Sequence, residues 1–347
     1  MRFFVGGYSP ELFMAELDQK TGAIELVGSV STPENASFMT LVPGMKMLYA
    51  TVETGYKTGQ PGKVIAYRVD KGGTLTAMGS AQTCGAGPCH LDVDPSRKLL
   101  AVANYGGRTF SLISLAADGT PGEQVACVTR VGSSVNVHRQ REPHPHSTTF
   151  SPDGRFLLVC DLGTDTIDVY PVDKLSAGES DPVHTVAATP GSGPRHLAFS
   201  PDSSFVCVVN ELSNTVAVYR YGSDDAVMEM VQEISTLPNG VSVESLAAEI
   251  AIDSTGRFVY ASNRGHDSIT VFDRDASTGE IQRRGYIGPT GAGPRHFSID
   301  PSGTWLVTAN QEADSVVSFR LNPETGQGSW SGREVKVTAP SCVVFAG

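Results

Sequence analysis

The sequence has no stretch approaching the ~18 consecutive apolar residues of a membrane-spanning helix. No long segment carries the 3.6-residue period of an amphipathic helix either, which argues against a helical fold. Positive charge is scarce: 26 Lys and Arg stand against 37 Asp and Glu, a formal net charge of −11. That balance speaks against nucleic acid or an anionic membrane as the main partner, although it says nothing about the sign of charge inside a pocket. There is no Cys-x-x-Cys pair. The six cysteines, Cys84, Cys89, Cys127, Cys160, Cys207 and Cys342, are scattered, some within apolar runs such as V-C-V at 206–208. They read as buried free thiols in a reducing compartment. The N-terminal M-R-F-F-V-G-G-Y enters a short apolar stretch with no long h-region or cleavage site, so the expected location is cytoplasmic and the protein soluble. With 40% hydrophobic and 18% charged residues the chain is globular, not disordered.

What the chain does have is glycine (37), proline (21) and a repeat. G-P-R-H-L-A-F at 193–199 returns as G-P-R-H-F-S-I at 293–299 and, without the arginine, as G-P-C-H-L-D-V at 87–93. Each copy leads to an anchor: Pro43, Pro95, Pro152, Pro201 and Pro301, with Ser254 in the remaining unit. After the anchor come a turn (S-P-D-G-R at 151–155), a second apolar run (F-L-L-V-C at 156–160) and then an alternating run such as V-A-V-Y at 216–219. These runs are short, β-branched or aromatic, and bounded by Gly, Pro, Asp and Asn, so they read as strands. The period of about 50 residues lies in the range of propellers and solenoids. Six units are complete, each with four strands. The leftover pieces complement one another: P-S-C-V-V-F at 340–345 supplies a first strand, and 3–8, 12–17 and 24–28 supply the other three. The expected fold is therefore an all-β, seven-bladed β-propeller with four antiparallel strands per blade. The N- and C-terminal strands share the blade that closes the ring, and residues 1–347 form a single domain.

Hairpin geometry brings scattered positions together. Residues six before and ten after each anchor lie at the same end of an antiparallel pair, and the first strand of a blade lines the channel. One mouth of the channel is thus expected to carry Ser37, Cys89, His146, Arg195, Ala248 and Arg295 together with Glu53, Tyr105, Leu162, Glu211, Arg264 and Gln311. The two unusual connections, 54–62 and 131–145, fall at that end and are candidates for a lid or for specificity. A residue type that recurs in most blades reads as structural. Asn nine after the anchor, expected to bond backbone at a blade junction, and the histidines His90, His196 and His296 belong there. Residues that break the register, His146, Glu211, Glu53 and Arg264, read as functional. Arg195 and Arg295 suit either a clamp between blades or an anion ligand. Three guanidinium groups at a partly desolvated mouth need counter-charge; Glu53 and Glu211 balance two, and an anionic ligand supplies the rest.

E-P-H-P-H-S-T-T-F-S-P-D-G-R (142–155), P-R-H-L-A-F-S-P-D (194–202), N-E-L-S-N-T-V-A-V-Y (210–219) and S-N-R-G-H-D-S-I-T-V-F (262–272) resemble the seven-bladed lactonase family, which includes propeller-type 6-phosphogluconolactonase and the fungal carboxy-cis,cis-muconate lactonizing enzyme. The resemblance spans essentially the whole chain. It implies an active site at one channel mouth, no metal and no cofactor, with His146, Arg195, Glu211 and Arg264 in the catalytic positions. The expected activity is hydrolysis of a sugar lactone, 6-phosphogluconolactone to 6-phosphogluconate, in the pentose phosphate pathway. Arg295, Glu53, Tyr105, Gln311 and His144 would bind a small anionic substrate, and Arg295 with His138, Arg139 and Arg141 of the 131–145 loop would hold a remote phosphate. Three other readings stand beside this one. Lactone-forming cycloisomerisation suits the arginines equally well. A non-catalytic binding propeller predicts an aromatic mouth, and only Tyr105 is aromatic among the twelve positions. Zinc on His144, His146 and Asp161 is opposed by the surrounding arginines.

Overall fold

Each sequence run that alternates or is wholly apolar becomes a strand in the computed structural model, which describes residues 1–42 and 44–346. Pro43, the first anchor, lies outside the described residues. Seven four-stranded antiparallel sheets result, as expected, each with its strands in spatial order along the blade. Blade 1 contains Met39–Val42, Met47–Val52, Lys63–Val69 and Leu75–Gln82; blade 2 contains Pro88–Val93, Leu99–Asn104, Thr109–Leu115 and Pro121–Thr129. Blade 3 contains Pro145–Phe150, Phe156–Asp161, Thr166–Pro171 and His184–Ala187; blade 4 contains Pro194–Phe199, Phe205–Asn210, Thr215–Tyr221 and Met228–Ser235. Blade 5 contains Leu246–Ile252, Phe258–Arg264, Ser268–Arg274 and Ile281–Ile287; blade 6 contains Pro294–Ile299, Trp305–Asn310, Ser315–Leu321 and Gly328–Lys336. Blade 7 joins the two ends of the chain: Pro340–Phe345 pairs with Arg2–Gly7, followed by Glu11–Leu17 and Ile24–Ser31. The one α-helix among the described residues is the five-residue Val172–Ser176, and no helix is long and apolar enough to cross a membrane.

The burial pattern follows strand rank. Second strands such as F-V-C-V-V-N (205–210) are buried at every residue, because both of their faces meet protein. The outermost strand of blade 6, Gly328–Lys336, is mostly exposed. Turns are fixed by short polar side chains. Asp300 Oδ1, for example, accepts the backbone N–H groups of Thr304 at 2.7 Å and Trp305 at 2.6 Å, closing the loop between the first two strands of blade 6.

The chain divides into two compact units, Met1–Val30 with His196–Gly347, and Ser31–Arg195. In the first, Phe205, Cys207 and Val209 of blade 4 pack with Ala247, Val259 and Phe272 of blade 5, and Trp305 and Val307 of blade 6 pack with Phe3, Val343 and Phe345 of blade 7. In the second, Phe110 and Leu112 of blade 2 pack with Leu157, Val159 and Tyr170 of blade 3 and with Leu175 of the helix. Truncating such a buried aromatic to alanine costs about 3–5 kcal/mol.

Two expectations need correction. Cys84 and Cys127 are not free thiols: they form a disulfide, Cα–Cα 5.9 Å, that ties the connection into blade 2 to that blade's outer strand. Their separation of 43 residues gives no spacing signal. Cys89, Cys160, Cys207 and Cys342 are buried and lie outside the disulfide. The recurring asparagines do not chiefly bond backbone at blade junctions. Asn104 Nδ2 donates to Thr109 and Ser111 hydroxyls, both at 3.1 Å, and Asn263 Nδ2 to Thr270 at 3.0 Å, all on the third strand of the same blade. Asn310 does reach a backbone acceptor, the Thr290 carbonyl, at 2.5 Å.

Candidate active site

The position six before the anchor has a special geometry. In blade 2 the ladder runs from Pro88 opposite Asn104 directly to His90 opposite Ala103, so Cys89 is an extra residue. The same bulge isolates His146 in blade 3, Arg295 in blade 6 and Ser341 in blade 7; in blade 5 it takes in Ala248 and Glu249. A bulge releases one side chain from the alternation of the strand and re-aims it. The preceding residues fix the entry. Gly87, Gly193 and Gly293, each just before the proline, sit at φ 63, 65 and 67, where a side chain would be strained. The N–H of Gly193 is received by Asp165 Oδ1 at 2.7 Å and that of Gly293 by Asp267 Oδ1 at 2.8 Å. The glycine carbonyls in turn receive the N–H of the residue ten after the anchor: Tyr105 to Gly87 and Gln311 to Gly293, both at 2.9 Å.

Within Ser31–Arg195 the predicted residues gather around Tyr105. Its ring stacks on His144, centroids 4.3 Å apart and 10° from parallel, and meets His146 edge-on at 5.4 Å. His144 Nδ1 donates to the Tyr105 carbonyl at 3.0 Å. His146 is buried, and its Nδ1 lies 4.0 Å from Cys89 Sγ. The 54–62 connection contributes Tyr56, whose ring is 6.5 Å from that of Tyr105 and whose hydroxyl donates to Glu53 Oε1 at 2.6 Å. The 131–145 connection contributes Arg139, whose Nη2 donates to Tyr105 Oη at 3.3 Å. The other cations of that loop point elsewhere: Arg141 Nε donates back to the Val137 carbonyl, and His138 is exposed. Asp165, buried and at φ 54, holds the loop by accepting from Ser134 Oγ at 2.5 Å and Gln140 Nε2 at 2.7 Å. Arg195, at the end of this unit, is 3% exposed.

Within the other unit Glu211 and Arg264 are brought together, Oε2 to Nη2 at 2.8 Å with side chains only 4% and 13% exposed. The same Nη2 donates to the Ala247 carbonyl at 3.2 Å, and the Ala247 N–H donates to the Glu211 carbonyl at 3.2 Å, so this pair clasps the entry of blade 5. Arg295 Nη2 donates to Tyr8 Oη at 3.0 Å and its guanidinium lies 5.3 Å from the centre of that ring. The recurring histidines bond to backbone N–H groups and to a buried carboxylate. His90 Nδ1 accepts the Thr148 N–H and His296 Nδ1 the Val343 N–H, both at 3.3 Å. His196 Nδ1 meets buried Glu249 Oε2 at 2.9 Å, and His296 Nε2 reaches the same oxygen at 3.4 Å.

Tyr8, Ser341, Arg130, Asp165 and Glu249 are the residues that sequence reasoning missed. Tyr8 and Ser341 were legible: once Pro340–Phe345 is paired with Arg2–Gly7, the register that gives Arg295 and Gln311 gives these two for blade 7. Among the described residues no group of three or more His, Cys, Asp or Glu side chains is placed to hold a metal ion.

Repeated four-stranded blades and a blade shared by the two chain ends define a β-propeller whose bulged first strands carry His146 and Arg295 beside tyrosine rings. The chain belongs to the seven-bladed β-propeller lactonase family: the family model described as "Lactonase, 7-bladed beta-propeller" matches residues 2–345. It is a sugar-lactone hydrolase of that family. It is 31% identical over 343 residues to a 6-phosphogluconolactonase of Bacillus subtilis, covering 99% of this chain and 96% of that one. It is 32% identical to a 6-phosphogluconolactonase of Formosa agariphila, covering 97% of each. The periplasmic gluconolactonase of Pseudomonas aeruginosa superposes with a TM-score of 0.92 at 29% identity, over 100% of this chain and 99% of that one. These relatives favour neither cycloisomerisation nor a non-catalytic role.

Proposed function

We propose that the enzyme hydrolyses 6-phosphogluconolactone to 6-phosphogluconate, without metal or cofactor, at one mouth of the propeller. The observation that carries the reading is the Tyr105 cluster: one tyrosine ring has the histidine pair against its face and edge and a guanidinium at its hydroxyl. A base and an anion ligand are thereby held one phenol apart, which suits a ring carbonyl at one end of a substrate and a phosphate at the other. His146 takes the proton of the attacking water. Negative charge develops on the carbonyl oxygen and is met by Arg195 or Arg264. Glu211, ion-paired with Arg264, holds that guanidinium in place. When the ring C–O bond breaks, the protonated His146 returns its proton to the leaving ring oxygen, so the imidazole is neutral again at the end of the cycle. Arg139 takes the phosphate, with Arg295 as a second cation, while His144, Tyr105, Gln311 and Glu53 contact the sugar hydroxyls. Register supports this assembly: all these residues but Arg139 and His144 stand six before or ten after an anchor, and equivalent positions of propeller blades face one mouth.

A second reading is carried by the Cys84–Cys127 disulfide. A disulfide belongs to an oxidising compartment, and the enzyme would there act on unphosphorylated gluconolactone, whereas the phosphorylated substrate goes with a cytoplasmic place in the pentose phosphate pathway. Initial rates on the two lactones separate the readings. Higher kcat/KM on the phosphorylated lactone, with Arg139→Met raising KM for that substrate alone, supports the first; equal or better use of gluconolactone overturns it. His146→Gln is expected to lower kcat about 10²–10⁴-fold, and wild-type kcat in that variant rules His146 out as the base.

A further inference from the structure

We propose that the buried cluster of Arg130, Asp161 and Asp168 is a positioning device for the His144-Pro145-His146 turn, with Asp161 as its working end. The proposal rests on the reading of His146 as the base. Asp161 stands nine after its anchor, where blades 2, 4, 5 and 6 have asparagine. Those asparagines donate to hydroxyls or a carbonyl, and Asn210 also to the half-buried Glu233 carboxylate at 3.4 Å; none of these blades puts a fully buried carboxylate at the position itself. Blade 3 departs twice at once. It has Asp161 in place of Asn, and His144 where blades 2, 4 and 6 have Gly87, Gly193 and Gly293. The two departures are hydrogen-bonded to each other: the His144 N–H donates to Asp161 Oδ1 at 2.8 Å, and the Gly163 N–H donates to the same oxygen at 3.0 Å.

A carboxylate cannot donate as the asparagine amide does, and a cation from the neighbouring blade fills the gap. Arg130, just past the outer strand of blade 2, places Nε 3.5 Å from Asp161 Oδ2 and pairs with Asp168 through Nη2. Its Nη1 donates to Tyr170 Oη at 2.9 Å and its Nη2 to Thr166 Oγ1 at 3.4 Å. Asp168 accepts further from Thr185 Oγ1 at 2.5 Å. Both carboxylates are essentially inaccessible to water. Burial pushes the Asp161 carboxyl up, against the His144 N–H and Arg130, which favour its ionised form. Charges taken out of water are costly, and a neutral asparagine serves the sheet elsewhere, so sheet stability alone does not account for the cluster. What blade 3 has and the others lack is a histidine at the bulge, reached from His144 through a single proline whose ring fixes φ. An acceptor clamped on the His144 N–H transmits its position to His146.

The test uses the full-length enzyme and four variants. Asp161→Ala is expected to lower kcat about 10–100-fold with KM changed less than about twofold, the signature of a misplaced base rather than a lost substrate contact. Asp161→Asn with Arg130→Gln rebuilds the neutral arrangement of the other blades, keeps an acceptor for His144, and is expected to recover kcat to within about threefold. A merely structural role lowers the melting temperature of both variants and leaves the kcat of folded protein unchanged, which overturns the proposal. If Asp161→Ala does not fold, Asp161→Asn alone decides: a kcat fall of at least about fivefold supports the proposal and wild-type kcat overturns it. His146→Gln run in parallel separates the two claims. A dead His146→Gln with a fully active Asp161→Ala sinks the positioning role alone, whereas a fully active His146→Gln sinks the assignment of the base and the proposal with it.

Discussion

The Glu211–Arg264 pair permits a quantitative prediction. Its atoms are 2.8 Å apart and its side chains 4% and 13% exposed. Two unit charges at that separation attract by about 6 kcal/mol at an effective dielectric of about 20 and by about 1.5 kcal/mol in bulk water. Water reaches part of Arg264, so the interaction lies between these limits, at about 2–4 kcal/mol. The perturbation is a double-mutant cycle with Glu211→Gln, Arg264→Met and both together. The desolvation of each group enters the single variants and cancels from the coupling, which isolates the pair. The assay is urea unfolding of the four proteins at pH 7, compared at matched m-values, with kcat measured alongside. Both single variants are expected to lower kcat, and the double variant to be no worse than the poorer single, because the two groups act as one unit. A coupling below about 0.5 kcal/mol would show a solvent-screened contact and refute the argument that Glu211 fixes the guanidinium.

Two further predictions concern stability. The disulfide closes a 43-residue separation, for which loop-closure entropy gives about 4 kcal/mol; protein purified without reductant should show four free thiols on denaturation, and Cys127→Ser should lower the urea midpoint, whereas six free thiols would refute the crosslink. Desolvation pushes the Asp92 carboxyl up from 3.8 to about 6, although Phe150 and Val93 N–H groups donate to it. A raised carboxyl favours the fold below its unfolded value and loses that contribution as pH rises through about 6. Asp92→Asn should therefore gain on wild type between pH 4 and pH 8 in urea midpoint, and a flat difference across that range would refute the shift.

Seven blades and the pairing of the chain ends were legible in the sequence because both rest on local periodicity and on counting, which need no knowledge of distant contacts. The same counting put His146, Arg295, Tyr105 and Gln311 at equivalent register positions, and the bulges show why one residue in each first strand stands apart. Long-range partners were not legible. Arg130 precedes Asp161 by 31 residues, and Cys84 precedes Cys127 by 43, across strands whose composition carries no sign of the link. Asp165 and Asp267 look like ordinary turn residues; only their side-chain acceptance of Gly193 and Gly293 N–H groups reveals that they set the entry of the next blade.

The bulge has an evolutionary consequence. Because the hydrogen-bond ladder skips that residue, its identity is uncoupled from the sheet's own requirements, and the same scaffold slot holds thiol, imidazole, guanidinium and hydroxyl in Cys89, His146, Arg295 and Ser341. A lineage can exchange those groups one blade at a time and wander among substrates while the architecture stays put.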